Sequence, residues 1–349
     1  MLLKIKNRIE KELRDYARSV NKTYSLNKLS PELSRNIKEF ICRKGKRIRP
    51  LLFCIGYLGF SKKAPAGLYR GALSLELLHD FLLVHDDIID KSCMRRGAPS
   101  MHTLLEHDFC QNKKTKFTGQ DLAIVTGDII YAMALDTFLS IKENRLRKEN
   151  ALRKFISTSL HTAGGEFIEL ILGNKPIEKV KLEDIYKIYD YKTANYTFAS
   201  PLAIGATLSG AKTGQVKKIY SYGMLLGRAF QIKDDIIGTF GKEKETGKSN
   251  ITDIAEAKRT LLICYAFSHA NKKDRLTISK IFNGNRVRKT DLVEIRRIIT
   301  ESGALSFAQK QIKYLYSKAI GQISSLKMKK NYLQALGNLS QEIILGKKS

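Results

Sequence analysis

Five long stretches, residues 71–90, 121–140, 151–173, 182–208 and 214–240, are apolar at helical period over more than one stripe. Helices of that kind must be inner members of a bundle, because no single neighbour can cover them. No alternating apolar–polar run lasts long enough to compete as strand. Specific turn signals separate the stretches: Gly97 with Pro99, Gly173-Asn174 before Pro176, Gly210, and GKEKETGKSN at 241–250. With no internal repeat and no Pro/Ser-rich linker, the expectation is one all-α domain spanning residues 1–349. The polar stretches 112–116 and 142–150 read as basic loops or a fraying helix end, and both termini as helical without a motif.

Into this apolar pattern the chain sets charge where burial makes it costly. FLLVHDDIIDKSCMRRGAP, residues 81–99, holds Asp86, Asp87 and Asp90 within one helical turn and follows them with Arg95-Arg96. Asp86 and Asp90 share one helix face, with Asp87 about 100° round and His79 two turns back on the Asp86 face. A second pair, Asp234-Asp235, sits in FQIKDDIIGTFG. For one such motif the plain alternative is an exposed acidic face paired with surface lysines. A second acid pair, and the cations around both, argue against it. GKRIRP (45–50) places Lys46, Arg47 and Arg49 between a glycine and a proline, Lys192-Thr193 lies in DYKTANYTF, and Lys248 and Lys258 follow the second pair. Buried carboxylates suit a hard divalent cation, above all Mg²⁺, which takes few protein oxygens and shares the phosphate oxygens of a substrate. Lys and Arg then neutralise the remaining phosphate charge. The pattern points to metal–diphosphate chemistry.

Overall charge permits the same reading without requiring it. Sixty-two Lys+Arg stand against 34 Asp+Glu, a net +28, which fits either a solvated surface or a polyanionic partner. A nucleic-acid binder predicts basic stripes interleaved with exposed aromatics. Here the clearest cations flank acids, so no nucleic-acid partner is expected, and the surplus charge suits weak peripheral contact with anionic membranes. Cys42, Cys54, Cys93, Cys110 and Cys264 are odd in number and widely spaced, reading as reduced and mostly buried thiols of a cytoplasmic protein. The charged N-terminus is no secretory signal. The run 121–139, broken by Asp128 and Asp136, reads as too polar for a membrane span.

DDIID with RRG, GKRIRP, Gly127-Asp128, Lys192-Thr193 and GRAFQIKDDIIGTFG…TGK…TDI..AKRTLL together resemble the trans-isoprenyl diphosphate synthases, the polyprenyl synthetase family. Motif order and spacing agree over roughly residues 35–265, and the short-chain geranylgeranyl diphosphate synthases are the most similar members. The resemblance implies a single large helical bundle around a deep central cavity, the isoprenoid synthase type. It implies a homodimer, two aspartate-rich motifs facing each other, and about three Mg²⁺ ions per substrate-loaded site. By position, Asp86, Asp87, Asp90, Asp234 and Asp235 are the implied metal ligands and catalytic acids. Lys46, Arg49, His79 and Arg96 match positions that hold isopentenyl diphosphate; Arg95, Lys192, Thr193, Gln231, Lys248 and Lys258 match those that hold the allylic diphosphate, with Lys192 also counted as catalytic. The implied reaction ionises the allylic diphosphate, attacks the carbocation with the isopentenyl double bond, and loses a proton.

The chain departs from the family pattern in three places. Gly238 stands where many members carry a third aspartate, Glu166 and Glu169 where short-chain members often have Gln and Asp, and residues 107–120 are longer and more basic than usual. Product length depends on how deep the tail can grow beneath the first motif. Phe81 and Leu82 lie five and four residues before Asp86, and one aromatic at that place resembles the archaeal-type enzymes that stop at twenty carbons. The plain reading of Phe81 is a core residue. The alternatives are a farnesyl or longer-chain product, or a non-catalytic subunit, which commonly loses an acidic motif or its arginines. A terpene cyclase needs a second metal motif that NITDIAEA (250–257) does not supply, and an HD-type phosphohydrolase needs more clustered histidines than the six scattered here.

Overall fold

The computed structural model describes residues 1–111, 114–241, 258–284 and 289–346. It is almost wholly helical and forms two compact units, Met1–Leu152 with Ile204–Ala211, and Arg153–Ala203 with Lys212–Ser349.

The first unit contains α1 (Leu2–Tyr24), α2 (Leu26–Leu29), α3 (Pro31–Cys42), α4 (Ile48–Phe60), α5 (Leu68–Ile89), α6 (Met101–Phe109), α7 (Gly119–Leu139) and the start of α8 (Arg145–Gly173). α5 packs chiefly on α7 and is flanked by α4, α1 and α6, which answers its apolar circumference. Leu73, Leu77 and Val84 of α5 are fully buried, and Phe53 of α4 meets Phe138 of α7 edge to face at 6.5 Å. Starts are set by local chemistry: Ser30 caps α3 ahead of Pro31, and Thr118 and Asp121 form a capping box on α7. By length and composition α7 is apolar enough to cross a membrane, with mean hydropathy 1.6 over its most apolar window. Asp128 and Asp136 therefore do not disqualify it as the sequence argument held, but 44% of that window is buried, and the helix packs on α5 and α6 as a core helix does.

Between α5 and α6 the chain forms a ribbon that periodicity does not reveal, since two-residue strands are too short to alternate. Strands β1 (Met94–Arg95) and β2 (Ala98–Pro99) pair antiparallel, Met94 opposite Pro99 and Arg95 opposite Ala98. Arg96 and Gly97 at the tip both have positive φ, 54° and 77°, the requirement of the tight turn whose twist matches a two-residue hairpin. Glycine is at home there; for Arg96 that backbone costs roughly 1 kcal/mol, so its side-chain contacts must hold it.

In the second unit, α11 (Thr213–Phe240) is central. The sequence-expected helix 182–208 is built as α9 (Leu182–Ile188), a π-helical stretch (Tyr189–Ala199) and α10 (Ser200–Leu208). α12 (Leu261–His269), α13 (Lys272–Phe282), α14 (Lys289–Glu301), α15 (Ala304–Ile323) and α16 (Lys330–Leu345) follow. α11 packs on the π-helical stretch and on α15, and Phe198 meets Phe230 at 5.3 Å in its core. The π widening, one extra residue per turn and a frequent mark of functional sites, carries Lys192 and Thr193. All five cysteines are free thiols, but only Cys54 and Cys264 are buried, while Cys42 and Cys93 are exposed. The expectation of mostly buried thiols is corrected: Cys42 ends α3 and Cys93 precedes β1, and both are exposed at the edges of their elements.

Candidate active site

The first acid cluster occupies the C-terminal turn of α5, where the helix dipole already carries negative partial charge. Asp86 and Asp90 are half-buried and Asp87 is fully buried. Arg95, returned by the ribbon, donates to Asp87 Oδ1 from Nε at 2.7 Å and also from Nη2, and lies 3.7 Å from Asp86. Burial pushes the Asp87 carboxyl above the usual range and Arg95 opposes the rise. Asp87 Oδ2 is buried with no hydrogen-bond partner. The partner that compensates the acids of DDIID is thus, in the first instance, Arg95.

Of the residues that the sequence assigns to isopentenyl diphosphate, Arg96 reaches α5 directly and Arg49 bears on its His79. Lys46 is exposed and Arg49 half-buried. Burial, and the charges of Arg49, Arg96, Arg95 and Arg47, hold the His79 imidazole well below its usual range, so it is neutral. Arg96 Nη1 donates to Asp80 Oδ1 at 3.1 Å, and Nη2 lies 3.5 Å from Glu76. Arg47, also at positive φ, is fully enclosed: its guanidinium donates to Glu76 at 2.6 Å, to Glu10 at 3.0 Å and to the Arg43 carbonyl at 2.5 Å. Of the three cations in GKRIRP it is therefore the structural one. Phe81 is half-buried, its ring 4.7 Å from His85 and 5.0 Å from Tyr131 of α7. Leu82 is half-buried beside it, and Gly127 lies directly under the His85 ring.

In the second unit Asp234 is exposed and Asp235 buried. Asp235 is held by neutral donors: Gln231 Nε2 at 2.9 Å and the Tyr189 hydroxyl. Tyr189 accepts in turn from the Leu261 backbone N–H at 2.8 Å, and Thr193 donates to Gln231 at 2.6 Å. Burial, and then Asp235, push the Tyr189 hydroxyl well above its usual range, so it stays a donor. Lys192 lies between two carboxylates of α8, Glu166 at 2.5 Å and Glu169. That grip requires α8 to come close: a Cβ on Gly165 would stand 2.8 Å from the Lys192 backbone nitrogen. Lys258 is half-buried, and Lys248 lies outside the described residues, as does most of the 241–250 turn.

Among the described residues no group of three or more His, Cys, Asp or Glu side chains is gathered to hold a metal by itself. The donors still fit Mg²⁺: each acid pair offers only hard oxygens, too few to fill an octahedral shell, and Asp87 Oδ2 is a buried oxygen left without a donor. Sequence reasoning missed Tyr189 and Tyr131, which carry no charge pattern. It also missed Glu76 and Asp80, whose spacing from Asp87 within an apolar helix was a readable signal.

Residues 30–299 match the polyprenyl synthetase family. The chain is 31% identical over 280 residues to a geranylfarnesyl diphosphate synthase of Aeropyrum pernix, covering 79% of this chain and 81% of that one. It is 31% identical over 261 residues to a geranylgeranyl diphosphate synthase of Saccharolobus solfataricus, covering 73% and 72%. Its fold is similar to the crystal structure of a geranylgeranyl pyrophosphate synthase from Corynebacterium glutamicum complexed with isoprenyl diphosphate and magnesium. The TM-score is 0.89 at 25% identity, covering 99% of both chains.

Proposed function

Since the chain belongs to the polyprenyl synthetase family, we propose that it condenses isopentenyl diphosphate head-to-tail with allylic diphosphates, giving geranylgeranyl diphosphate. It is a prenyltransferase that makes a trans-prenyl diphosphate. The carrying observation is the C-terminal turn of α5, where Arg95 anchors Asp87 by one oxygen and leaves the other bare beside Asp86. We read both units as one functional domain, because the family match runs through both. A row of apolar side chains on α8, Ile156, Leu160, Phe167 and Ile171, is exposed and supports a second copy as partner. Five free thiols support a cytoplasmic setting.

Asp86, Asp87, Asp90, Asp234 and Asp235 are the residues that would hold Mg²⁺, which when bound supplies positive charge to the departing diphosphate. Lys46, Arg49 and Arg96 neutralise the isopentenyl diphosphate, and His79, being neutral, contributes a hydrogen bond and no charge. Arg95, Lys192, Thr193, Gln231 and Lys258 act on the allylic diphosphate, with Lys248 assigned there by sequence alone. The allylic C–O bond breaks with its electron pair leaving on oxygen. The isopentenyl double bond then attacks the cation, and loss of a proton from the neighbouring carbon restores a trans double bond. Positioning and electrostatic stabilisation do this work, with no covalent enzyme intermediate. Phe81, braced by Tyr131, is the residue we assign to limit chain growth.

The test is incubation of labelled isopentenyl diphosphate with farnesyl diphosphate and Mg²⁺, followed by chromatography of the dephosphorylated products. The expected peak is geranylgeraniol, lost with EDTA and in Asp86→Ala, and shifted to longer alcohols in Phe81→Ala. No product from any allylic starter, in folded protein, would transfer the assignment to a non-catalytic subunit.

A further inference from the structure

Glu76, Asp80 and Asp87 fall within about 40° of one another around α5, and all three are buried. Asp87 is bound by Arg95 and Glu76 by Arg47. Asp80 is the third, and the reaction above gives it nothing to do. It is 0% exposed; Oδ1 accepts from Arg96, while Oδ2 has no hydrogen-bond partner. A bare buried oxygen is tolerable on a neutral acid and costly on a carboxylate. Burial accordingly pushes the Asp80 carboxyl up to about 8, with Arg96 and Arg47 opposing and Glu76 reinforcing.

The neighbourhood makes that proton count. Facing Asp80 are Arg96 from the ribbon, Arg47 ahead of α4, Glu76 on α5 and, through Arg47, Glu10 on α1. Cys42 at the end of α3 is also within electrostatic reach, its thiol pushed up by burial, and His79 is neutral. Arg49 and Arg95 bear on His79. With Asp80 protonated, Glu10 and Glu76 balance Arg47 and Arg96. With Asp80 ionised, the group carries one surplus negative charge against Arg96.

We propose that Asp80 is the positioning residue for Arg96: its carboxyl seats the guanidinium at the ribbon tip, and its protonation state sets how much of that charge reaches isopentenyl diphosphate. The proposal rests on the assignment of Arg96 to that ligand. Arg96 is held at positive φ; its Nη1 donates to Asp80 at 3.1 Å, a shorter contact than the 3.5 Å from Nη2 to Glu76. The folded-state carboxyl is raised above its unfolded value, so Asp80 favours the fold at low pH, and this contribution is lost as pH rises through about 8.

Calorimetric titration of the full chain with isopentenyl diphosphate alone, at pH 7 and pH 9, separates the outcomes without any turnover. Binding to the parent protein is expected to weaken about fivefold or more between the two pH values, as an added nearby negative charge implies. Asp80→Asn, neutral at both, is expected to bind at pH 7 like the parent and to keep that affinity at pH 9. Asp80→Leu, which removes the anchor, is expected to bind more weakly at both. The same loss in Asp80→Asn as in the parent, or no loss in the parent, overturns the proposal while leaving the ligand assignment intact. No binding at either pH overturns the assignment and the proposal with it. Should Asp80→Asn fail to fold, carbon-13 NMR of aspartate carboxyls in the parent decides: a signal titrating near pH 8 that shifts on ligand addition supports the role, and its absence ends it.

Discussion

The two Asp-Asp pairs are the same dipeptide on the same kind of helix, yet the protein stabilises them by opposite means. In each, the first aspartate is the more exposed and the second is buried, as a rotation of about 100° per residue dictates. At the end of α5 the buried Asp87 is held by a guanidinium, through one oxygen. In α11 the buried Asp235 is held by an amide and a phenol, through both oxygens. The first arrangement is an ion pair with an oxygen to spare, and in the second neutral donors reach both oxygens. The lesson is a division of labour within each pair: the outer acid is the more accessible, while the inner one is tied to its neighbours. Of the two inner acids, Asp87 is the one that keeps a buried oxygen with no hydrogen-bond partner.

The difference predicts asymmetric loss of activity. Asp86 has Asp90 four residues on, on its own face, whereas Asp234 has Gly238 there. Asp86→Ala is expected to lower kcat roughly 10³-fold and Asp234→Ala roughly 10²-fold, the range for removing one electrostatic element from a preorganised site. Steady-state assays at saturating Mg²⁺ compare them. Equal losses would mean that Gly238 costs the second site nothing and that the comparison fails where it matters most.

Stability should separate the inner acids. Asp87→Asn removes the charge that Arg95, itself mostly buried, depends on, and breaking a buried pair costs about 3 kcal/mol. Asp235→Asn keeps a side chain that Tyr189 can still reach and is expected to cost about 1 kcal/mol. Urea unfolding measures both. A larger loss for Asp235→Asn would show that the neutral network, with Tyr189 tied on to Leu261, is the more cooperative of the two.

This contrast also shows what the sequence could and could not reveal. Apolar circumference alone marked α5, α7, α8 and α11, and their bounds moved by only a few residues, because burial on many sides leaves a periodic trace. Asp86, Asp90 and His79 were legible as one face for the same reason. The ribbon was not, since it is a turn with scarcely any strand, and so Arg95's support of Asp87 went unread alongside its assignment to the allylic diphosphate. The π stretch was invisible because the registers it changes differ by one residue per turn. The Glu76–Asp80–Asp87 face was available in the spacing but looked like scatter without knowing that all three are buried. Tyr189 had no signal at all, since a tyrosine in an apolar helix is ordinarily core.

The smallest expected effect concerns Lys192, where the second unit departs from the family residue types. The Lys192 ammonium is held by two carboxylates, Glu166 and Glu169. An incoming diphosphate must draw Lys192 against both. Glu166→Gln keeps a hydrogen-bond acceptor and removes one of the opposing charges, at side chains about one-fifth exposed, where a pair is worth on the order of 0.5–1 kcal/mol. The KM for the allylic diphosphate is therefore expected to fall about threefold, an effect of that size, while the KM for isopentenyl diphosphate stays put. A rise in the allylic KM would carry the opposite meaning. It would show that Glu166 aims the ammonium more than it restrains it, so that charged support, as at Asp87, governs the second region after all.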